Sequence, residues 1–156
     1  MTSPSLHDIR KELQTLDATT LGDLCARLAR YKKENKEFLA YLLFDAHDEQ
    51  AYAGQVKDAM AGMFQDLPSG NLYYIKKSVR KILRFVNRQI KYSGVRTTEV
   101  ELRLAFCHHI KAAGIALPEG TVLANLYQRQ VTLIGKTVAR LPDDVRTDYQ
   151  RDVDIL

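Results

Sequence analysis

The sequence predicts an all-α protein. Three observations predict it. Apolar residues recur at three- and four-residue spacing along most of the chain. No stretch alternates polar and apolar residues with the β-branched enrichment and hairpin turns of a strand. Helix caps and stop signals punctuate the periodic stretches. Short connections make successive helices antiparallel, so the expected architecture is a set of antiparallel helical hairpins, either a HEAT-like, solenoid-like stack or an irregular helical bundle of about seven to eight helices. With 156 residues, 46% of them hydrophobic and 27% charged, and only 8 Gly and 4 Pro, the chain suits one core and has little material for linkers. A single all-helical domain over 1–156 is expected.

Leu6, Ile9, Leu13 and Leu16 predict a first helix, an arm over residues 1–17. Thr19 or Thr20 is expected to cap a second helix, whose apolar side is Leu21, Leu24, Cys25, Leu28 and Tyr31. Lys32 to Lys36 is expected to turn. From Phe38 to Phe44 the chain is apolar on nearly every helical face, which places the central helix there. Tyr52, Val56, Met60, Met63 and Phe64 mark one side of a helix from about Asp48 to Leu67, stopped by Pro68-Ser69-Gly70.

The helix from Asn71 to about Tyr92 is the best defined. Its Leu72, Ile75, Val79, Ile82, Leu83, Val86 and Ile90 fall within an arc of roughly 100°, and Ser93-Gly94 ends it. Thr98-x-x-Glu101 has the capping-box pattern, ahead of a helix through Val100, Leu104, Cys107 and Ile110 that Gly114 closes. Pro118 is expected in the first turn of a helix carrying Leu123, Leu126, Tyr127, Ile134, Val138 and Leu141. Pro142 with Asp143 and Asp144 opens a short last helix over 142–156, carboxylates being favoured at the positive end of the helix dipole. Arg27 to Phe44 and Arg88 to Phe106 echo one another as amphipathic helix, basic aromatic end, turn and apolar helix, a pattern too irregular for any consensus repeat.

Two cysteines, Cys25 and Cys107, are too few for a disulfide framework, and helical apolar spacing marks both as reduced packing residues. Met1 to Leu13 carries Asp8 and Glu12 and has no signal-peptide core, and the longest apolar run is far shorter than the roughly 20 residues a spanning helix needs. A cytoplasmic protein without membrane contact is expected.

Charge separates one segment from the rest. Residues 1–69 hold 8 basic and 11 acidic side chains, residues 70–92 hold 7 basic and none acidic, and residues 93–156 hold 8 of each. One helix therefore supplies the whole net charge of +4. Lys76, Lys77, Arg80, Lys81, Arg84, Arg88 and Lys91, with Tyr73 among them, spread over the half-circle away from the apolar arc. Like charges at i, i+4 cost a few tenths of a kcal/mol each. A polyanion would offset that cost by releasing counterions, and a continuous basic stripe is the electrostatic footprint of nucleic-acid binding. An acidic protein would serve too, and so would internal pairing with Asp45, Asp48, Glu49, Asp58 and Asp66, or with an acidic face of a second copy. A membrane would compete with the core for the same apolar face.

Other motifs fail on their geometry. Gly135-Lys136-Thr137 copies the end of a phosphate-binding loop, but Gln130 stands where that loop needs glycine. Cys107, His108 and His109 are adjacent, so on a helix they point about 100° apart and cannot converge on one metal ion. Asp45, His47, Asp48 and Glu49 form the one dense cluster able to offer acid and base chemistry, and they carry the rival expectation of a small enzyme or metal protein. No cofactor motif occurs and no cofactor is expected.

The stretch Leu24 to Glu37, continuing from Phe38 to Tyr52, together with Asn71-Leu72-Tyr73-Tyr74 through Gly94 and Thr98 to Leu102, resembles an uncharacterised bacterial family of small all-helical proteins. The likeness covers residues 20–115 and implies a bacterial cytoplasmic protein, with no activity, cofactor or catalytic residue to carry over. The leading expectation is a non-enzymatic interaction module whose basic helix 71–92 contacts nucleic acid or an acidic protein.

Overall fold

The computed structural model describes residues 2–156, and among them the fold is all-α, with eight α-helices, one π-helical turn and no strand. The chain divides into two compact units, Met1–Phe44 and Asp45–Leu156.

The first unit holds α1 (Leu6–Leu13), α2 (Ala18–Tyr31) and α3 (Lys33–Ala40). Ser5 and Asp8 form a capping box that opens α1, each side chain bonded to the other's backbone N–H, at 3.2 and 3.1 Å. Asp17 caps α2 through the Thr20 N–H at 2.7 Å, so the cap lies ahead of the threonines expected to provide it. Carboxylate acceptors serve this position at least as well as hydroxyls.

The expected turn at 32–36 shrinks to one extended residue, Lys32, because Lys33 onward are helix formers and α3 starts at once. Asn35 Nδ2 donates to the Leu28 carbonyl at 2.9 Å and ties α3 back to the end of α2. The two helices pack as a hairpin.

The run from Phe38 to Phe44 is not a central helix. Its second half is a π-helical turn (Tyr41–Asp45), and Leu42, Leu43 and Phe44 are exposed at 52, 63 and 69%. Tyr41 alone among the described residues of this unit is buried, since two helices side by side cannot enclose a run that is apolar all round. Cys25 is likewise exposed, against the expectation of burial.

The second unit is an irregular helical bundle of α4 (Glu49–Gln65), α5 (Leu72–Ser93), α6 (Arg96–Ala112), α7 (Val122–Val138) and α8 (Asp143–Asp154). Its central element is α6, packed against α4, α5 and α7. Val100, Leu102, Leu104, Phe106, Cys107 and Ile110 are buried on several sides of it. Val79, Ile82 and Val86 of α5 complete the core with Tyr52, Val56, Met60 and Phe64 of α4 and Leu123, Tyr127 and Ile134 of α7.

Gly94 ends α5 with φ +68°, its N–H donating to Ile90 O at 2.9 Å, a left-handed cap that L side chains rarely adopt. The connection from α5 to α6 is therefore only Gly94-Val95, and the two helices return antiparallel.

Thr98 and Glu101 do not cap α6. The helix begins earlier, at Arg96, which leaves Thr98 inside it to donate to Glu49 Oε2 at 2.6 Å, while Glu101 pairs with Lys57 and accepts from Tyr149. Pro118 stands ahead of α7 rather than in its first turn, because Thr121 provides the cap, accepting from the Ala124 N–H. Asp143 and Asp144 do open α8. Lys111 Nζ and Tyr127 Oη hold the end of the chain by donating to Leu156 O at 2.7 and 3.2 Å.

Phe106 is fully buried beside Phe64, ring centroids 5.8 Å apart, and Phe106→Ala should cost about 3 to 5 kcal/mol in urea unfolding. His109 stacks on the other side of this cluster, 5.1 Å from Phe64. Burial, and then the neighbouring His108, hold its imidazole below the usual histidine range. The unfolded chain therefore takes up a proton as pH falls through about 6.5 while the folded one resists, so this contribution to stability is lost downward from that pH. Urea midpoints taken at about pH 7.5 and about pH 5.5 should lie closer together in His109→Phe than in the parent chain.

Candidate functional site

The cationic helix of the sequence is α5, and its local chemistry sets the direction of every side chain it carries. Asn71 caps it, accepting from the Tyr73 N–H at 2.9 Å, and no acidic residue occupies its first turn. With Val79, Ile82 and Val86 turned to the core, the helical period sends the cations outward. Lys77, Arg80, Lys81, Arg84 and Lys91 are exposed, and Lys76 and Arg88 are half-buried.

Among the described residues, no carboxylate pairs with Lys76, Lys77, Arg80, Lys81, Arg84 or Lys91. Two of the acidic residues that could have faced them, Asp48 and Glu49, have other partners. Asp48 caps α4 by accepting from the Ala51 N–H at 3.0 Å, and Glu49 Oε2 accepts from Ser93 Oγ at 2.8 Å and from Thr98 Oγ1. His47 is exposed, and no group of three or more metal-ligating side chains among the described residues could hold an ion. Cys107 lies in the core, where burial pushes its thiol up to about 12, and His108 is exposed. Gly135, Lys136 and Thr137 are helical residues of α7, with Thr137 Oγ1 donating to Leu133 O at 2.9 Å.

Five of the eight expected site residues come together. Tyr73, Lys76, Lys77, Arg80 and Arg84 line one wall of a cleft of about 360 Å³, and Val122 at the start of α7 lies across from them. Lys81, Arg88 and Lys91 are on the same helix but outside that lining. The first turn of α7 holds no acidic residue, so the positive end of its dipole adds to the field there. Tyr73 and Tyr74 are 63 and 53% exposed and meet edge to face, centroids 5.3 Å apart.

Further along the same two helices opens a second cavity of about 620 Å³, with Leu83 and Asn87 from α5, Asn125, Arg129 and Gln130 from α7, and Arg103 of α6 between them. Arg103 is a buried cation, its side chain 9% exposed. Its Nε donates to Glu99 Oε1 at 2.9 Å and its Nη1 to Asn87 Oδ1 at 3.0 Å and Gln130 Oε1 at 2.7 Å. Nη2 has no acceptor among the described residues. Both cavities open between α5 and α7, a groove to which α6 contributes Arg103 at the second cavity.

Nothing in the charge pattern of the sequence singled out Arg103, Arg129 or Gln130. A signal existed for Gln130, which interrupts the otherwise apolar face Leu123, Tyr127, Ile134 and is 2% exposed. Gln130→Leu should destabilise the fold by about 1 to 3 kcal/mol in chemical denaturation, because it leaves a buried guanidinium N–H short of an acceptor. Comparison of the chain with family models, curated proteins and solved structures gives no match.

Proposed function

We propose that this protein is a non-enzymatic binding module that holds a polyanion, of the nucleic-acid class, along the outward face of α5. The observation that carries the reading is the set of six α5 cations that no carboxylate of the described chain neutralises, four of which, Lys76, Lys77, Arg80 and Arg84, share one cleft with Tyr73. Repulsion between like charges one turn apart works against the isolated helix by a few tenths of a kcal/mol per pair, and a bound row of phosphates removes it while releasing counterions. Exposed Tyr73 in the same cleft, with exposed Tyr74 against its ring, favours nucleic acid over an acidic protein, since bases offer planar faces and acidic side chains do not. Two free cysteines fit a reducing cytoplasm, and no described helix is long and apolar enough to cross a membrane.

The test is fluorescence anisotropy with labelled oligonucleotides over a salt series. Log affinity should fall against log salt with a slope of roughly −3 to −5, as expected for about five neutralised phosphates. Lys77→Glu, Arg80→Glu and Arg84→Glu combined should abolish binding while the helical circular dichroism stays unchanged. Undiminished binding by that variant would remove α5 as the site.

A further inference from the structure

We propose that the groove between α5 and α7 is a channel for single-stranded nucleic acid, with bases stacked on Tyr73 and Tyr74 at one end and a backbone phosphate received by Arg103 at its floor. The proposal rests on the polyanion reading of α5 and narrows it from nucleic acid in general to one strand in an extended path.

Position along the helices gives the path. The first cavity uses α5 residues from Tyr73 to Arg84 and the start of α7, and the second uses Leu83 and Asn87 of α5 with Asn125 to Leu133 of α7. Successive turns of both helices are thus used in the same order, and the cations lie on the wall of a concavity rather than on a ridge.

Depth selects the strand. A duplex is stiff over about 50 nm and presents its phosphates on a wide cylinder, so it can touch the rim of such a groove but not a side chain that is nine-tenths buried between helices. A single strand bends at every sugar-phosphate unit and can place one phosphate at depth. The Arg103 guanidinium suits that role: Glu99, Asn87 and Gln130 fix it through Nε and Nη1, which leaves Nη2 to donate to an outside oxygen. Glu99 balances the charge of Arg103 itself, and exposed Arg129 on the α7 wall restores a net positive field over the second cavity.

The aromatic pair supplies the other half. Stacking needs a base whose π face is free, as it is in a single strand and is not inside a duplex. Tyr73 and Tyr74 stand edge to face and more than half exposed beside the cleft cations, which lets one or both accept a base while Lys76 and Lys77 reach the adjoining phosphates.

The experiment titrates the full-length chain into labelled oligo(dT), oligo(U), a DNA duplex of equal length and polyglutamate of equal charge, at one fixed low salt concentration. The single strands are expected to bind at least tenfold more tightly than the duplex or polyglutamate. Tyr73→Ala with Tyr74→Ala should weaken single-strand binding about tenfold and leave the duplex unaffected. Arg103→Lys, which keeps the charge beside Glu99 but withdraws the free Nη2 donor, should weaken the single strand several-fold. Should circular dichroism show that this variant unfolds, Arg129→Gln takes its place, with the same several-fold loss expected.

Equal or tighter binding of the duplex overturns the channel and leaves the polyanion reading standing, as does an unchanged single-strand affinity in the tyrosine variant. Polyglutamate binding as tightly as the strands makes the groove a site for acidic peptide and also overturns the proposal. Absence of binding to every probe sinks the polyanion reading itself.

Discussion

The burial of α5 against α6 is the constraint from which the surface follows. Val79, Ile82 and Val86 are at most 2% exposed, and a helix with its apolar stripe committed to the core has no rotational freedom left. Every charge on it is then placed by arithmetic of the helical period. A different docking angle would have turned part of the basic half-circle against α4, where Asp58 and Asp66 could have met it. Lys76, Lys77, Arg80, Lys81, Arg84 and Lys91 instead pair with no carboxylate among the described residues, and the cost is a stretch of helix whose charges are all of one sign.

The same packing creates the groove. Both α5 and α7 lie against α6, whose burial on several sides keeps the two apart along a shared floor. Arg103 lines the second cavity because the α6 face that carries it looks into the gap between α5 and α7. Burying a guanidinium is costly unless its donors find acceptors, and Glu99, Asn87 and Gln130, one from each of the three helices, supply them for Nε and Nη1. The network therefore ties α5, α6 and α7 together at the second cavity.

What could be read from the sequence and what could not divides along physical lines. The boundaries of α5 were legible because they depend on local chemistry, an Asn cap and a glycine in the left-handed region, and its cationic face followed from period alone. The centre of the bundle was not legible. Phe38 to Phe44 has the composition of a core helix yet is mostly exposed, whereas α6 is central despite Glu99, Glu101 and Arg103 in its sequence. Hydrophobicity reports what a helix could bury, and partners decide what it does bury. Glu99, Glu101 and Arg103 each have a partner on another helix or one turn away, such as Lys57 for Glu101, and pairings between helices cannot be seen along one chain. The second cavity was invisible for the same reason, since Asn87, Arg103 and Arg129 reach it from three different helices.

The two-residue link at Gly94-Val95 has a consequence for how this surface comes into being. Packing in the second unit joins mainly helices that follow one another, α4 with α5, α5 with α6, α6 with α7 and α7 with α8. Little chain has to be closed into a loop before each contact is rewarded, which is the topology of rapid folders. The helices that line the second cavity, α5, α6 and α7, are consecutive, so their packing needs no long loop to close first.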